Sequence, residues 1–150
     1  MRPEFHILLV EDSETDAKII DRALREAKIK HRLTVIRNGR QALDYLVALT
    51  DPGTSADLEP DLVLLDLNLP GLDGYQLLTR VKSDPVLRVL PIVVLSTSNR
   101  EEDVLQSYQA GANTFIQKPG EYPRYRELVV TLRRYWYDTA HRLPRNRPRG

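Results

Sequence analysis

The sequence contains no cysteine, which excludes disulfide bonds, thiolate metal sites and cysteine nucleophiles. Its histidines, His6, His31 and His141, are scattered, so their spacing does not predict a zinc site. Neither a G-x-G-x-x-G fingerprint nor a P-loop is present, which argues against a nucleotide-binding protein. The aliphatic run near the N-terminus is too short for a signal peptide, and no later run approaches a membrane span. The expected location is therefore the cytoplasm.

An excess of charge of one sign is also lacking. The formal net charge is +1, so no overall field attracts nucleic acid or a membrane surface. A chain of 150 residues with 41% hydrophobic and 29% charged residues is typical of one soluble globular domain. No internal repeat is present.

Two kinds of segment alternate along the chain. Short apolar stretches predict buried strands, and in chain order they are HILLV, LTVIR, LVLLD, PIVVLS and TFIQK. Stretches with helical spacing follow each of them. In the last, over 122–140, one apolar stripe consists of Tyr125, Leu128, Val129, Leu132 and Trp136. This alternation predicts an α/β fold, a doubly wound parallel sheet with right-handed crossovers and helices on both faces.

The last ten residues differ in composition from the rest of the chain. The stretch HRLPRNRPRG combines four arginines with prolines and a terminal glycine. We therefore expect a folded domain over 1–140 and a disordered basic tail over 141–150. A solubilising role is favoured over nucleic-acid binding, because neither interleaved aromatics nor a reading helix accompanies the arginines.

Charged and polar side chains follow the predicted strands at their carboxyl ends. Glu11 and Asp12 follow the first strand, Asp66 ends the third, Ser96 ends the fourth and Lys118 ends the fifth. Ligands of open parallel sheets bind at this edge. Crowded carboxylates repel one another unless a cation joins them. The sequence therefore predicts a site for a hard divalent cation, with Mg²⁺ as its natural occupant and the lysine offsetting one charge.

Several stretches resemble the signature motifs of the response-regulator receiver domain of two-component signalling, the CheY-like family. They are LLVEDSETD, LVLLDLNLPGLDG, PIVVLSTS and FIQKP, and the resemblance extends over about residues 5–138. It implies a flavodoxin-like fold with strand order 2-1-3-4-5 and five helices. It also implies a phosphoacceptor signalling protein that promotes its own phosphorylation and dephosphorylation, rather than an enzyme with a separate substrate.

The resemblance assigns an acceptor and a metal site. Asp66 would take a phosphoryl group from a histidine kinase and become an aspartyl phosphate. Asp12, Asp66 and the backbone carbonyl of Asn68 would bind Mg²⁺, while Glu11 would reach the metal through water. Phosphoryl transfer depends mainly on positioning and charge neutralisation, which Mg²⁺ and a lysine can supply.

The resemblance also assigns the groups that sense the phosphoryl. Ser96 would bond to a phosphoryl oxygen, and Lys118 would form an ion pair with the phosphate. Phe115 occupies the position of the switch aromatic, which turns inward on phosphorylation. The bond between Lys118 and Pro119 is expected to be cis.

The output is expected from the receiver surface itself, since no DNA-binding module fits after residue 138. A finer resemblance links the chain to stand-alone regulators that partner phytochrome-type histidine kinases. It rests on LLDLNLP, VVLSTS, the extended loop before the third strand and the ending WYDTAHRLP over 136–144.

Three consecutive aromatic residues suggest an interface. One helix cannot bury Tyr135, Trp136 and Tyr137 together against its own sheet. Tyrosine and tryptophan are enriched at protein contacts. Because the family pairs through its fourth helix, fifth strand and fifth helix, we predict a homodimer that includes Tyr135 or Tyr137.

Two alternatives remain at this stage. One is a degenerate receiver that acts as a scaffold or a phosphate sink. The other is a small phosphatase with an aspartate nucleophile on a similar fold. Such enzymes carry a second aspartate two positions later as general acid, and Asn68 occupies that place here.

Overall fold

The computed structural model describes residues 4–145 and residue 147. Its strands are β1 (Phe5–Val10), β2 (His31–Ile36), β3 (Leu62–Asp66), β4 (Ile92–Ser96) and β5 (Thr114–Gln117). They form one sheet in the order β2-β1-β3-β4-β5, and every neighbouring pair is parallel. The doubly wound, flavodoxin-like fold predicted from the sequence is confirmed.

In the part of the chain that the structure describes, five α-helices connect and follow the strands. They are α1 (Glu14–Glu26), α2 (Gly39–Ala48), α3 (Gly74–Ser83), α4 (Glu101–Gln109) and α5 (Tyr122–Leu132). The chain after α5 widens into a π-helical segment over Arg133–Thr139, which Ala140 N closes by donating to Tyr135 O at 2.6 Å. Among the described residues, no helix is both long and apolar enough to cross a membrane.

The sheet separates two apolar cores. On one face, α2 and α3 pack against alternate strand residues, among which are Leu8, Val10, Val63, Leu65 and Val94. On the other face, α1 and α5 pack against the intervening residues, among which are Ile7, Leu9, Leu62, Leu64 and Leu95. The predicted apolar stripe of the last helix lies in this second core. Strands buried on both faces explain why they read as nearly continuous apolar runs.

Side-chain caps begin three helices close to the strand ends. Ser13 Oγ accepts from Asp16 N at the start of α1, and Asn38 Oδ1 caps α2. Asp73 and Gln76 form a reciprocal capping box at the start of α3. These caps fix where each loop at the carboxyl edge of the sheet ends.

The described residues of the C-terminal segment pack across the amino edge of the sheet. Disorder of the tail over 141–150 stays a prediction. Arg142 lies over the rings of Phe5 and Tyr137, at 5.2 and 5.3 Å. Arg145 Nη1 donates to Ala56 O at 3.0 Å. Residue 146 and residues 148–150 lie outside the described residues.

Two arginines of this segment contact a pair of buried acids that precede β3. Glu59 and Asp61 are almost fully buried, and buried carboxylates require nearby positive charge. Arg147 pairs with Glu59, and Arg145 Nη2 lies 3.5 Å from Asp61 Oδ2. The composition of the tail could not reveal these partners, because they lie more than 80 residues earlier in the chain.

Candidate functional site

The carboxyl edge of the sheet brings three carboxylates together. Glu11 and Asp12 directly follow β1, and Asp66 is the last residue of β3, the neighbouring strand. Each offers one oxygen, and these three oxygens lie within 4.8 Å of one another. Glu11 and Asp66 are buried, whereas Asp12 is exposed. This set of hard oxygen donors fits the ligand preference of Mg²⁺.

Burial of these carboxylates is unfavourable for stability unless a cation neutralises part of their charge. Desolvation raises the pKa of Glu11 to about 7, and its hydrogen bond with Asp66 acts in the same direction. Lys118 opposes the rise through a hydrogen bond and its charge. Glu11 therefore holds a proton more readily than an exposed glutamate does, because it shares a confined space with a second carboxylate.

Lys118 is the cation that the protein itself supplies. Its Nζ donates to Glu11 Oε1 at 2.6 Å, to Asp16 Oδ2 at 3.0 Å and to Asp66 Oδ2 at 3.2 Å. Its side chain is only 5% exposed. Burial disfavours the charge, but the hydrogen bonds to Glu11 and Asp16 and the charge of Asp66 outweigh it, so the pKa of Lys118 is raised.

The predicted cis peptide bond is absent. No cis bond occurs among the described residues, so the bond between Lys118 and Pro119 is trans. Lys118 still points into the acidic cluster. Its backbone N donates to Ser96 O at 2.7 Å, which fixes the end of β5 beside β4.

Asp16 lies beside the acidic cluster, although the sequence analysis did not assign it to the site. Its backbone N completes the α1 cap by donating to Ser13 Oγ at 3.1 Å. Its carboxylate instead accepts from Lys118. The position one turn after Asp12, in the first turn of α1, was the available signal, because the first turn of that helix borders the same edge of the sheet.

Ser96 ends β4 next to the acidic cluster. It is buried and follows Leu95, which pairs with Asp66 across the sheet, whereas Thr97 is exposed. Ser96 Oγ accepts from Ser98 N at 3.1 Å. The hydroxyl thus stabilises the turn that leads into α4.

A short network, which we call the α4 latch, holds that turn. It consists of Ser98, Asp103 and Tyr75. Ser98 Oγ donates to Asp103 Oδ2 at 2.5 Å, and Tyr75 OH donates to Asp103 Oδ1 at 3.3 Å. Since Tyr75 lies in the first turn of α3, the latch connects the loop after β3 to the start of α4.

The loop after Asp66 runs close to the backbone of α3. Asn68 N donates to Asp66 Oδ1 at 3.2 Å, and Gly74 N donates to Leu67 O at 2.9 Å. A Cβ on Gly74 would lie 2.5 Å from Leu67 Cα and 2.7 Å from Asp66 O. Only glycine permits this approach. The Asn68 side chain is exposed, and its carbonyl as a metal ligand stays a prediction.

Phe115 lies on β5, three residues before Lys118. Its ring is half-buried and packs against the core on the α2 and α3 face. Its backbone N donates to Tyr108 OH of α4 at 3.3 Å. This position connects β5 to α4, and its role as the switch aromatic stays a prediction.

A doubly wound parallel sheet with an acidic cluster and a buried lysine at its carboxyl edge defines a receiver-type signalling domain. The family described as response regulator receiver domain matches residues 7–130. The chain therefore belongs to this family, whose members partner histidine kinases.

A curated relative is similar over nearly the whole chain. Response regulator Rcp1 of Synechocystis sp. is 36% identical over 134 residues, which cover 89% of this chain and 90% of that protein. The similarity therefore extends beyond the family motifs.

Solved structures share the fold. The phosphorylated cyanobacterial phytochrome response regulator RcpA is 37% identical with a TM-score of 0.83, covering 94% of this chain and 99% of its own. The Mn²⁺-bound form of Rcp1 is 34% identical with a TM-score of 0.80, covering 93% of this chain and 99% of its own.

Proposed function

We propose that this protein is a stand-alone response regulator in which Asp66 accepts a phosphoryl group from a histidine kinase. The observation that carries the proposal is the hydrogen bonding of one buried lysine to Asp66 and Glu11 inside a cluster of carboxylates. Buried carboxylates of this kind are unfavourable for stability, but they are suited to binding an incoming divalent cation and phosphoryl group.

Asp12, Asp66 and the backbone carbonyl of Asn68 would bind Mg²⁺, with Glu11 acting through a water molecule. The proposal is supported by the all-oxygen donor set and by the Mn²⁺ bound to Rcp1. Bound Mg²⁺ would neutralise charge on the phosphoryl oxygens during transfer.

Transfer consists of an attack by a carboxylate oxygen of Asp66 on phosphorus. The new oxygen–phosphorus bond forms as the phosphorus–nitrogen bond of the phosphohistidine breaks. The electron pair of the broken bond stays on the imidazole nitrogen. Lys118 would pair with a phosphoryl oxygen and thereby reduce the repulsion between the acidic cluster and its anionic substrate.

The response would pass through Ser96 and Phe115. Ser96 would turn its hydroxyl from the Ser98 amide to a phosphoryl oxygen, which shifts the turn before α4. Phe115 would then move into the space that the turn leaves. The altered surface of α4, β5 and α5 would carry the signal. The same site would also promote removal of the phosphoryl group by water.

The partner that we propose is a phytochrome-type histidine kinase. The proposal is supported by the similarity to RcpA, which is a phytochrome response regulator. The expected location in the cytoplasm stays a prediction.

A homodimer through α4, β5 and α5 is also proposed. Leu105 and Tyr108 of α4 are exposed, and Tyr135 is 56% exposed. Tyr137 is a weaker candidate than the sequence suggested, because its ring packs edge-on against Phe5 at 5.5 Å. Exposed tyrosines of this kind favour protein contacts, because tyrosine is enriched at interfaces.

The test is phosphorylation by acetyl phosphate with Mg²⁺, followed by intact mass. Wild type should gain one phosphoryl group, and Asp66→Asn should gain none. Beryllofluoride with light scattering would report any accompanying change in assembly. An adduct that persists in Asp66→Asn would overturn the assignment of the acceptor.

Two other results would favour the alternatives. No phosphoryl adduct with acetyl phosphate and no binding of beryllofluoride, together with undetectable Mg²⁺ binding, would indicate a degenerate receiver that acts as a scaffold. Release of phosphate from an added monoester with repeated turnover would indicate a phosphatase.

A further inference from the structure

Lys118 is shared between the acidic cluster and one carboxylate outside it. Glu11 and Asp66 belong to the set of three oxygens suited to a metal ion, whereas Asp16 does not. Asp16 nevertheless lies nearer to Lys118 Nζ than Asp66 does, at 3.0 Å against 3.2 Å. The lysine is thus drawn toward α1 as well as toward the proposed phosphoacceptor.

We propose that Asp16 is a positioning residue that holds Lys118 back from Asp66 and slows phosphoryl uptake. The inference rests on the proposed function and deepens it. It makes the lysine a group that must be released from one carboxylate before it can serve the incoming phosphoryl group.

The argument begins with the number of donors. An ammonium group has three N–H bonds, and here each one has an acceptor. A phosphoryl oxygen can therefore gain a direct hydrogen bond from Lys118 only if one of the present acceptors gives way. All three N–H groups of Lys118 already have an acceptor.

Asp16 is the acceptor best suited to give way. Glu11 makes the shortest contact, and its side chain is 1% exposed, so losing the lysine would leave a buried charge unpaired. Asp66 is the group that receives the phosphoryl. Asp16 has a side chain 28% exposed, so water can replace the lysine there at little cost.

The charge of Asp16 opposes the step in a second way. Its carboxylate adds negative charge beside a site that must admit an anionic phosphodonor. When Lys118 is bound to Asp16, that carboxylate neutralises part of the lysine's positive charge, so less of it acts on the phosphodonor. Removing the charge should leave Lys118 freer to neutralise the incoming group.

Asp16→Asn removes the charge of Asp16 without removing the α1 cap, so it tests the effect of the charge on Lys118. The backbone N of residue 16, which completes the α1 cap, is unchanged by the substitution. Glu14→Gln is the matched control. Glu14 lies in the same first turn, its side chain is 64% exposed, and it pairs with Lys18 at 3.1 Å instead of Lys118. Both variants remove one charge near the start of α1, so helix-dipole effects are similar.

The measurement is the rate of adduct formation with acetyl phosphate, at Mg²⁺ saturating for each protein. In this reaction phosphorus passes from the acetate oxygen to Asp66, and acetate leaves with the electron pair. We expect Asp16→Asn to react about threefold to tenfold faster than wild type, equivalent to about 0.7–1.4 kcal/mol in the barrier. Glu14→Gln should stay within about twofold of wild type.

A second readout needs neither metal nor turnover. In a metal-free crystal structure of Asp16→Asn, Lys118 Nζ should move closer to Asp66 Oδ2 than the present 3.2 Å. In Glu14→Gln that distance should be unchanged.

Three results would overturn the inference alone. They are an unchanged or slower rate in Asp16→Asn, an equal acceleration in Glu14→Gln, and an acceleration that persists undiminished when Lys118 is also replaced by alanine. Absence of an adduct in wild type would instead overturn the proposed function, so the two failures can be told apart.

Discussion

Arg147 and Glu59 form a two-pronged ion pair at the amino edge of the sheet. The distances are 2.7 Å between Nη1 and Oε1 and 2.9 Å between Nη2 and Oε2. The Glu59 side chain is 2% exposed. Parallel, charge-assisted hydrogen bonds of this kind are among the stronger polar contacts in proteins. The pair fastens the C-terminal segment to the loop that precedes β3.

Arg147→Gln should therefore lower the free energy of unfolding by about 1–3 kcal/mol, because a buried carboxylate loses charge-assisted hydrogen bonds. Urea denaturation measures this change. Arg134→Gln, at an exposed position of the π-helical segment, is the control and should alter stability by less than about 0.5 kcal/mol. Equal midpoints for the two variants would show that the segment does not contribute to stability.

The contacts of His6, which lies in the same region, predict that the stability of the protein depends on pH. Its Nε2 lies 2.8 Å from Thr34 Oγ1, and its Nδ1 lies 3.1 Å from Glu59 O and from Arg32 Nη2. Burial is the main cause that lowers the pKa of His6 below 6.5. The unfolded chain therefore binds a proton at a higher pH than the folded protein does. The contribution of His6 to stability is complete above pH 6.5 and falls as the pH drops toward the pKa of the folded state.

We expect His6→Gln to lose less stability than wild type as the pH falls from 7 to 5. The difference in slope can reach about 1.4 kcal/mol per pH unit, the limit for one proton. Urea titrations at a series of pH values provide the measurement. Parallel curves for wild type and His6→Gln would contradict the prediction.

Gly74→Ala should distort the loop that follows Asp66, the proposed phosphoacceptor. The added Cβ meets the backbone of Leu67 and Asp66, and neither can move without shifting β3. We expect a loss of about 1–3 kcal/mol in stability and slower uptake from acetyl phosphate. Gly120→Ala is the matched control, since a Cβ there has no neighbour within 4 Å. Similar behaviour of the two variants would remove the case for a required glycine at residue 74.

The α4 latch predicts the effect of a single hydroxyl. If the turn after Ser96 must move on phosphorylation, the hydrogen bond from Tyr75 to Asp103 opposes that movement. Tyr75→Phe should then bind beryllofluoride about twofold to tenfold more tightly than wild type. Tyr135→Phe, which alters an exposed ring, should bind it as wild type does. Weaker binding by Tyr75→Phe would mean that the latch favours the phosphorylated form.

The proposed dimer can be tested at Tyr135. Tyr135→Ser should raise the dimer dissociation constant at least about tenfold in sedimentation equilibrium, since tyrosine is enriched among the few interface residues that contribute most of the binding free energy. Leu58→Ser is the control, because Leu58 is similarly exposed but lies before β3 rather than beside α5. An unchanged dissociation constant in Tyr135→Ser would exclude this side chain from the interface.

The strands and the acidic cluster could be predicted because both depend on local pattern. A strand buried on both faces must be apolar throughout, so a carboxylate such as Asp66 at its end is conspicuous. Parallel strands share one edge, which places Glu11, Asp66 and Lys118 near each other without knowledge of any distance. Their motifs also carried the family resemblance.

Asp16 and the C-terminal arginines could not be assigned in the same way. Asp16 completes a cap through its backbone. Its position one turn after Asp12 places it near the carboxyl edge of the sheet, but the sequence does not show that its side chain contacts a lysine 102 residues later. From the sequence alone, Arg147 is indistinguishable from a solvent-exposed arginine, because its partner Glu59 lies 88 residues earlier and its burial is visible only in the structure. Both contacts depend on tertiary packing.

The two outer strands of the sheet differ in length on the two sides of Asp66. β3 is the central strand, so it is hydrogen-bonded along both edges. On one side, β1 is buried throughout and pairs with the six residues of β2. On the other side, β4 is buried throughout and pairs with the four residues of β5, the outermost strand. Because β5 pairs along four residues and β2 along six, we expect a displacement that starts at Asp66 to move the β5 margin more readily than the β2 margin.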